Sequence, residues 1–172
     1  MDPDTGEVIY GYLFVAVLPF SGYGFALGCH DMKQPSWINV HLQMFEYFQG
    51  VPTVLVPDNL KTGITKHTRT TLKINETYES MANHYHTIIL PAPIRKPKDK
   101  ASVENTVKSL TTHIIARMRN YQCFGLHDYN AYLRKELDRF NQKPFQKKAG
   151  VPIFHVQRDE ACGTSISVDD TF

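Results

Sequence analysis

A chain of 172 residues that is 42% hydrophobic and 12% aromatic can bury one substantial core, so a single domain is the default. Its formal charge of +2 is too small to announce nucleic-acid binding, no apolar run approaches the roughly 18 residues of a membrane span, and Met1 leads into polar turn residues rather than a signal peptide. Three widely spaced cysteines, Cys29, Cys123 and Cys162, form no C-x-x-C pair, which points to a reduced, cytoplasmic protein and not a disulfide scaffold.

In chain order, Asp2 to Glu7 has Pro and Gly at turn-favouring positions and reads as a hairpin turn. Val8 to Leu18 is apolar on both parities, the mark of a strand covered on both faces, and Gly22 to Cys29 is its expected partner. Pro35 opens a predicted helix to about Gln49, with Ile38, Leu42, Phe45 and Phe48 at helical spacing and Gly50 as a stop. A short strand, Thr53 to Val56, follows and ends at Asp58.

Residues 60 to 74 are rich in Lys and Thr and read as an irregular loop. Asn75 is placed to cap a helix to about His86 that carries Tyr78, Met81, Ala82 and Tyr85 on one face, and Thr87 to Leu90 reads as a strand. Pro91 to Pro97 is punctuated by prolines and reads as a linker. From Ala101 to Asn120, Val103, Val107, Leu110, Ile114 and Met118 form a core-facing helical stripe, with Asp99 as N-cap.

A last helix is predicted from Leu126 to Asn141, with Leu133, Leu137 and Phe140 inward. After Gly150 the periodicity fades, and Glu160 to Phe172 is small, polar and acidic. The expected division is therefore a core over residues 1–149 and a poorly ordered tail over 150–172.

Two carboxylates stand out against this frame. Val54-Leu-Val-Pro-Asp58-Asn59 presents an acid where a β-branched run stops, and Glu104 lies in the first turns of a long amphipathic helix. Mg²⁺ is a hard ion that takes oxygen ligands, so carboxylates at the tips of rigid elements suit it. The same residues have plainer explanations: Asp-Asn after a proline is an ordinary turn, and a Glu early in a helix favours its dipole.

Basic residues concentrate beside these acids, among them Lys61, Arg95, Lys96, Lys98 and Lys100. They suit phosphate contacts that position DNA without reading sequence, or else form a solvated charged loop. Lys108 follows Glu104 by one helical turn, which equally describes a routine i,i+4 pair. His84 and His86 lack a matching ligand pair for structural zinc, and there is no Gly-rich phosphate loop and no G-x-S-x-G elbow. ATP hydrolysis and serine-hydrolase chemistry are thereby set aside.

Gly50-Val-Pro-Thr-Val-Leu-Val-Pro-Asp-Asn-Leu-Lys-Thr-Gly63 and Arg95-Lys-Pro-Lys-Asp-Lys-Ala-Ser-Val-Glu104 resemble the two signatures of IstA-type insertion-sequence transposases. Asp2-Pro-Asp-Thr-Gly-Glu7, Tyr12-Leu-Phe-Val-Ala-Val-Leu-Pro19 and Phe140-Asn-Gln-Lys-Pro-Phe145 fit the same family in the same order.

The resemblance implies a DDE recombinase with a ribonuclease H-like integrase core, an α/β fold whose mixed sheet is flanked by helices. It implies a metal-binding catalytic triad of which Asp58 is the second member and Glu104 the third. The first aspartate is expected on a central strand preceding residue 2, so this chain is expected to lack that strand and to be inactive alone. Two Mg²⁺ ions, replaceable by Mn²⁺, are implied, as are DNA ends and target DNA as substrates, an AAA+ ATPase helper, and homo-oligomerisation. The competing expectation is a non-catalytic protein that binds DNA or transposase and interferes with transposition.

Overall fold

The computed structural model describes residues 10–57, 64–67, 72–90, 97–142 and 161–167. Strands β1 (Tyr12–Val17) and β2 (Gly24–Cys29) form an antiparallel hairpin in which Phe14 lies opposite Leu27 and Val17 opposite Gly24. Helix α1 (Gln34–Phe48) follows, then β3 (Val54–Pro57), the short strands β4 (Ile64–His67) and β5 (Leu72–Ile74), and α2 (Glu76–His84). The remaining elements are β6 (Ile88–Ile89), α3 (Pro97–Met118), α4 (Leu126–Asn141) and β7 (Ala161–Ser167).

The main sheet runs β2-β1-β7-β3-β6, with β7 antiparallel to β1 and parallel to β3. Leu13 to Val17 are all buried, which explains why β1 is apolar on both parities: helices cover both of its faces. On one face Phe14 meets Phe25, Trp37 and His41 edge-on at 6.1, 5.8 and 5.2 Å, so α1 docks there through aromatic side chains. On the other face α3 and α4 approach β2 at its glycines. A Cβ on Gly24 would stand 2.6 Å from the Leu110 side chain, and one on Gly28 would stand 2.7 Å from the Tyr129 ring, so only glycine admits these helices.

Strand β2 ends the sheet, and its outward backbone groups are paired by asparagines of α4. Asn141 accepts from the Gly24 N–H at 2.8 Å and donates to the Gly24 carbonyl at 2.8 Å; Asn130 does the same at Gly28, at 2.7 and 3.0 Å. These side-chain amides replace the next strand, satisfying groups that would otherwise template aggregation. Tyr47 ties the arrangement to α1, its hydroxyl accepting from Asn141 at 2.8 Å.

Several expectations need correction. Residues 60 to 74 were expected as an irregular loop, yet Ile64–His67 and Leu72–Ile74 form a two-stranded antiparallel ribbon. The buried face of α1 is turned from the expected stripe: Trp37, His41, Met44 and Tyr47 are buried with Phe45 and Phe48, while Ile38 and Leu42 are only partly covered. Helix α3 starts at Pro97, a residue suited to the first helical turn because its missing N–H has no intrahelical partner there. Asp99 is therefore inside the helix and not its cap.

The largest correction concerns the expected tail. Ala161–Ser167 is a strand in the middle of the sheet, because β1 and β3 each present a row of backbone donors and acceptors that must be paired. The sheet consequently has no gap beside β1. The turn expected at Asp2 to Glu7 lies outside the described residues.

Other expectations hold. Asn75 caps α2, accepting from the Thr77 N–H at 2.9 Å, and Tyr78, Met81 and Ala82 are buried. Leu110, Ile114, Leu133 and Leu137 are buried as their periodicities require. Among the described residues no helix is long and apolar enough to cross a membrane.

His41 joins α1 to α2 in the core. Its Nδ1–H donates to the Trp37 carbonyl at 2.8 Å, and its Nε2 accepts from the Tyr78 hydroxyl at 3.1 Å. Complete burial pushes its pKa down to about 4 from the ordinary 6.5. The unfolded chain therefore binds more protons below pH 6.5, and stability falls as pH drops from 6.5 towards 4. Through this residue the loss approaches about 3 kcal/mol. Urea midpoints measured between pH 7 and 4.5 should shift downward in the parent and much less in His41→Gln; parallel curves would assign the acid sensitivity to other groups.

Candidate active site

Parallel pairing of β3 with β6 determines where the candidate carboxylates originate. Val54 lies opposite Ile88 and Leu55 opposite Ile89, and the Leu90 N–H donates to the Leu55 carbonyl at 2.8 Å. The Thr87 hydroxyl locks the entrance to β6 by donating to the Pro52 carbonyl at 2.6 Å. Because the two strands run the same way, the chain leaves Pro57 and Leu90 at the same end of the sheet. Asp58 is the residue after Pro57, and the chain that leaves Leu90 leads to α3, which begins at Pro97.

Asp58 itself lies outside the described residues, as do Lys61, Arg95 and Lys96. Glu104 is on α3 and exposed, about 10 Å along the helix from its start at 1.5 Å per residue. Leu110 and Ile114, further along, hold the helix to the sheet. Lys108 is exposed one turn beyond Glu104. Lys98 and Lys100 fall within the first turn of α3 rather than in a preceding loop, so these two lysines and Glu104 share one helix.

Strand β7 is the neighbour of β3 that sequence reasoning missed. Thr164 lies opposite Pro57 and Gly163 opposite Val56, and on the far side Thr164 faces Ala16 of β1. Between Ala161 and Ser167 there is no Asp or Glu. A signal did exist, since β-branched Thr164, Ile166 and Val168 alternate, but five of the seven strand residues are Ala, Cys, Gly or Ser and mask it.

The candidate donors, being carboxylates, suit a hard divalent cation in kind. Among the described residues no group of three His, Cys, Asp or Glu side chains converges on one point. His84 and His86, at the end of α2, belong to no such cluster. Cys29 and Cys123 are free thiols, and burial pushes the Cys29 thiol up to about 11, which makes it unreactive at neutral pH.

A protein of Pseudomonas fluorescens assigned as the transposase of insertion sequence IS1162 is 39% identical over 150 residues, 87% of this chain. One of Burkholderia multivorans assigned to IS408 is 36% identical over 147 residues, 86% of this chain. Over most of its length the chain is similar to insertion-sequence transposases. No protein-family model matches it.

The chain spans only about a quarter of these transposases, 27% of the first and 28% of the second. Among solved structures, the catalytic core domain of BIV integrase superposes with a TM-score of 0.61 at 16% identity, covering 83% of this chain and 82% of that one. A chain of the simian T-cell lymphotropic virus intasome gives 0.65 at 16% identity, over 86% of this chain and 49% of that one. At such identities the likeness establishes the fold, which is the integrase-core α/β arrangement.

If Asp58 and Glu104 share one site, their side chains lie within about 10 Å, the reach of a two-metal centre. With Cys29, Cys123 and Cys162 replaced by serine, an Asp58→Cys/Glu104→Cys protein should close internally with a short bis-thiol reagent, seen as a mobility shift that protease digestion maps to the two peptides. Absence of that product under conditions that label both thiols singly would remove the pair from one site.

Proposed function

We propose that this chain carries part of the catalytic core of a DDE-type DNA transposase, which cuts element ends and joins their 3′ ends to target DNA. The observation that supports the reading is the parallel pairing of β3 with β6 in an integrase-type sheet, so that the chain leaves one sheet end both at Pro57, just before Asp58, and at Leu90, on its way to the helix bearing Glu104. Asp58 and Glu104 would hold divalent metal, Mg²⁺ or Mn²⁺. When bound, such ions activate an attacking oxygen and stabilise a leaving one.

The chain's own residues supply the rest. Lys98 and Lys100 in the first turn of α3, with Arg95 and Lys96 just before it, Lys61 after Asp58 and Lys108 a turn beyond Glu104, place positive charge beside both acids. Such charge neutralises phosphates and orients the duplex without reading bases. An AAA+ ATPase helper, self-association and a cytoplasmic, nucleoid-bound location belong to this reading as the family resemblance implies them.

One observation favours a second reading, a non-catalytic protein that binds DNA or transposase. The strand beside β3 pairs Thr164 with Pro57 and carries no Asp or Glu between Ala161 and Ser167. Two acids without a third hold a pair of dications poorly, since each ion loses a ligand and the negative charge that offsets their mutual repulsion. Both readings therefore agree that the isolated chain does not cut DNA.

Incubated with Mg²⁺ or Mn²⁺ and cognate element ends, the purified chain should leave both strands intact. Cleavage that disappears on Asp58→Ala would overturn this, and would require a carboxylate supplied from elsewhere in the chain or from a second copy.

Binding is a separate matter. Affinity for duplex DNA should fall by at least about tenfold between 50 and 200 mM salt, with little sequence preference, if several lysines track phosphates. The triple variant Arg95→Ala/Lys96→Ala/Lys98→Ala should bind more weakly and with a shallower salt slope. Equal affinity and slope in fluorescence anisotropy would leave those residues as solubilising charge.

A further inference from the structure

The turn between α3 and α4 gathers aromatic rings and cations on a segment that is fixed from within. Tyr121 and Tyr132 stack at 3.9 Å with their planes 16° apart, which packs the turn against α4. Asp128 ties it further: its Oδ1 accepts from the Tyr121 hydroxyl at 2.8 Å and its Oδ2 from the Phe124 N–H at 3.0 Å. Gly125, at φ +92°, then turns the chain into α4. Phe124 is thus held through its backbone, yet it is 55% exposed. A lone exposed ring is normal at a protein surface, and this one differs in its company.

Charge is the second observation. Between residues 117 and 135 the only acid is Asp128, and both of its oxygens are engaged in the turn. The same stretch carries Arg117, Arg119, Arg134 and Lys135. Arg134 lies over the Tyr47 ring at 4.0 Å and pairs with Asp138 at 3.8 Å. The other three are exposed: Arg117 in the last turn of α3, Arg119 just beyond it, and Lys135 one turn along α4 from Tyr132. At 1.5 Å per residue, Arg117 is about 20 Å along α3 from Glu104, so this surface is separate from that acid and from the lysines of the first turn.

Rings flanked by cations fit a polyanion whose own rings are accessible. Single-stranded nucleic acid has this chemistry, since unpaired bases stack on aromatic side chains while Lys and Arg meet the phosphates. A duplex keeps its bases stacked inside and offers mainly phosphates. An acidic peptide would satisfy the cations and leave the rings uncovered.

We propose that the α3–α4 turn is a binding surface for an unpaired DNA strand, in which Phe124, beside the Tyr121–Tyr132 pair, stacks on a base and Arg117, Arg119 and Lys135 hold the flanking phosphates. The inference rests on this turn alone. Its test needs no metal, so it is read independently of the cleavage assay.

The full chain is titrated by fluorescence anisotropy with three labelled ligands of equal length: an oligothymidylate, the same backbone with abasic sites throughout, and a duplex. Oligothymidylate should bind at least about tenfold more tightly than the abasic strand, the scale of one stacked base, and more tightly than the duplex. Phe124→Ala should remove that difference without lowering the melting temperature, because the ring is exposed, whereas Phe124→Trp should retain it. Arg117→Gln/Arg119→Gln/Lys135→Gln should weaken binding of both single strands and flatten its salt dependence. The base preference should persist in Arg95→Ala/Lys96→Ala/Lys98→Ala.

Equal affinity for the thymidylate and abasic strands, or a preference that Phe124→Ala leaves intact, overturns the proposal. Loss of the preference in the Arg95/Lys96/Lys98 variant also overturns it, by moving the stacking site to the other basic segment. So does a glutamate-rich peptide of equal charge that binds as tightly as oligothymidylate and loses that affinity in Phe124→Ala, an outcome that makes the turn a protein-docking surface.

Discussion

Main-chain pairing at the centre of the sheet is the constraint on which the rest of this structure depends. Without β7 the sheet would fall into two pieces, the β1–β2 hairpin and the β3–β6 pair, because among the described residues no other strand pairs one with the other. Each piece would then carry an exposed row of amides and carbonyls along an apolar face, and an unpaired buried backbone group costs about 1–3 kcal/mol. A segment with poor strand composition is drawn into the slot because the alternative is several such groups left unsatisfied. Tertiary demand outweighs local propensity here, whose whole span is about 1 kcal/mol per residue.

The two edges of β1 and β2 illustrate two answers to one problem. At the inner edge a strand supplies the missing partners; at the outer edge Asn130 and Asn141 supply them from a helix. The amide side chain carries N–H donors and a carbonyl acceptor in nearly the spacing of a peptide group, so it pairs a residue's N–H and C=O together. The arrangement requires α4 to lie close against β2, which requires glycine at positions 24 and 28. Glycine, a costly residue in a strand, is thus tolerated where it lets a helix protect that strand's edge.

Much of this was legible in the sequence wherever periodicity and burial act locally. The double-parity apolar run of β1, the Asn75 cap of α2 and the Leu110–Ile114 stripe of α3 are each set by residues near one another in the chain. The α1 stripe was misjudged because aromatic residues on a helix between two layers are buried over a wide arc, and Trp37, His41 and Tyr47 follow from contacts with β1, β2 and α2 that no local pattern records. β7 was missed for a related reason, since its place is decided by two strands more than a hundred residues away. Of the candidate site, the sequence showed two acids and their basic surroundings. It did not show that Lys98 and Lys100 ride on the same helix as Glu104.

That rigid link separates what the sheet supplies from what the helix supplies. β3 and β6 bring Pro57 and Leu90 to the same sheet end through parallel pairing, a relation fixed by backbone geometry and insensitive to which side chains are present. The acid on α3 moves only with the helix, which Leu110 fastens over Gly24 at a contact that admits no larger residue. The slot beside β3 is different in kind. Its backbone pairing is equally fixed, and the strand that lies there, β7, has no Asp or Glu between Ala161 and Ser167. Main-chain pairing therefore holds the sheet together whichever side chains β7 carries, so the stability of the sheet is separable from the chemistry of the residues on its central strand.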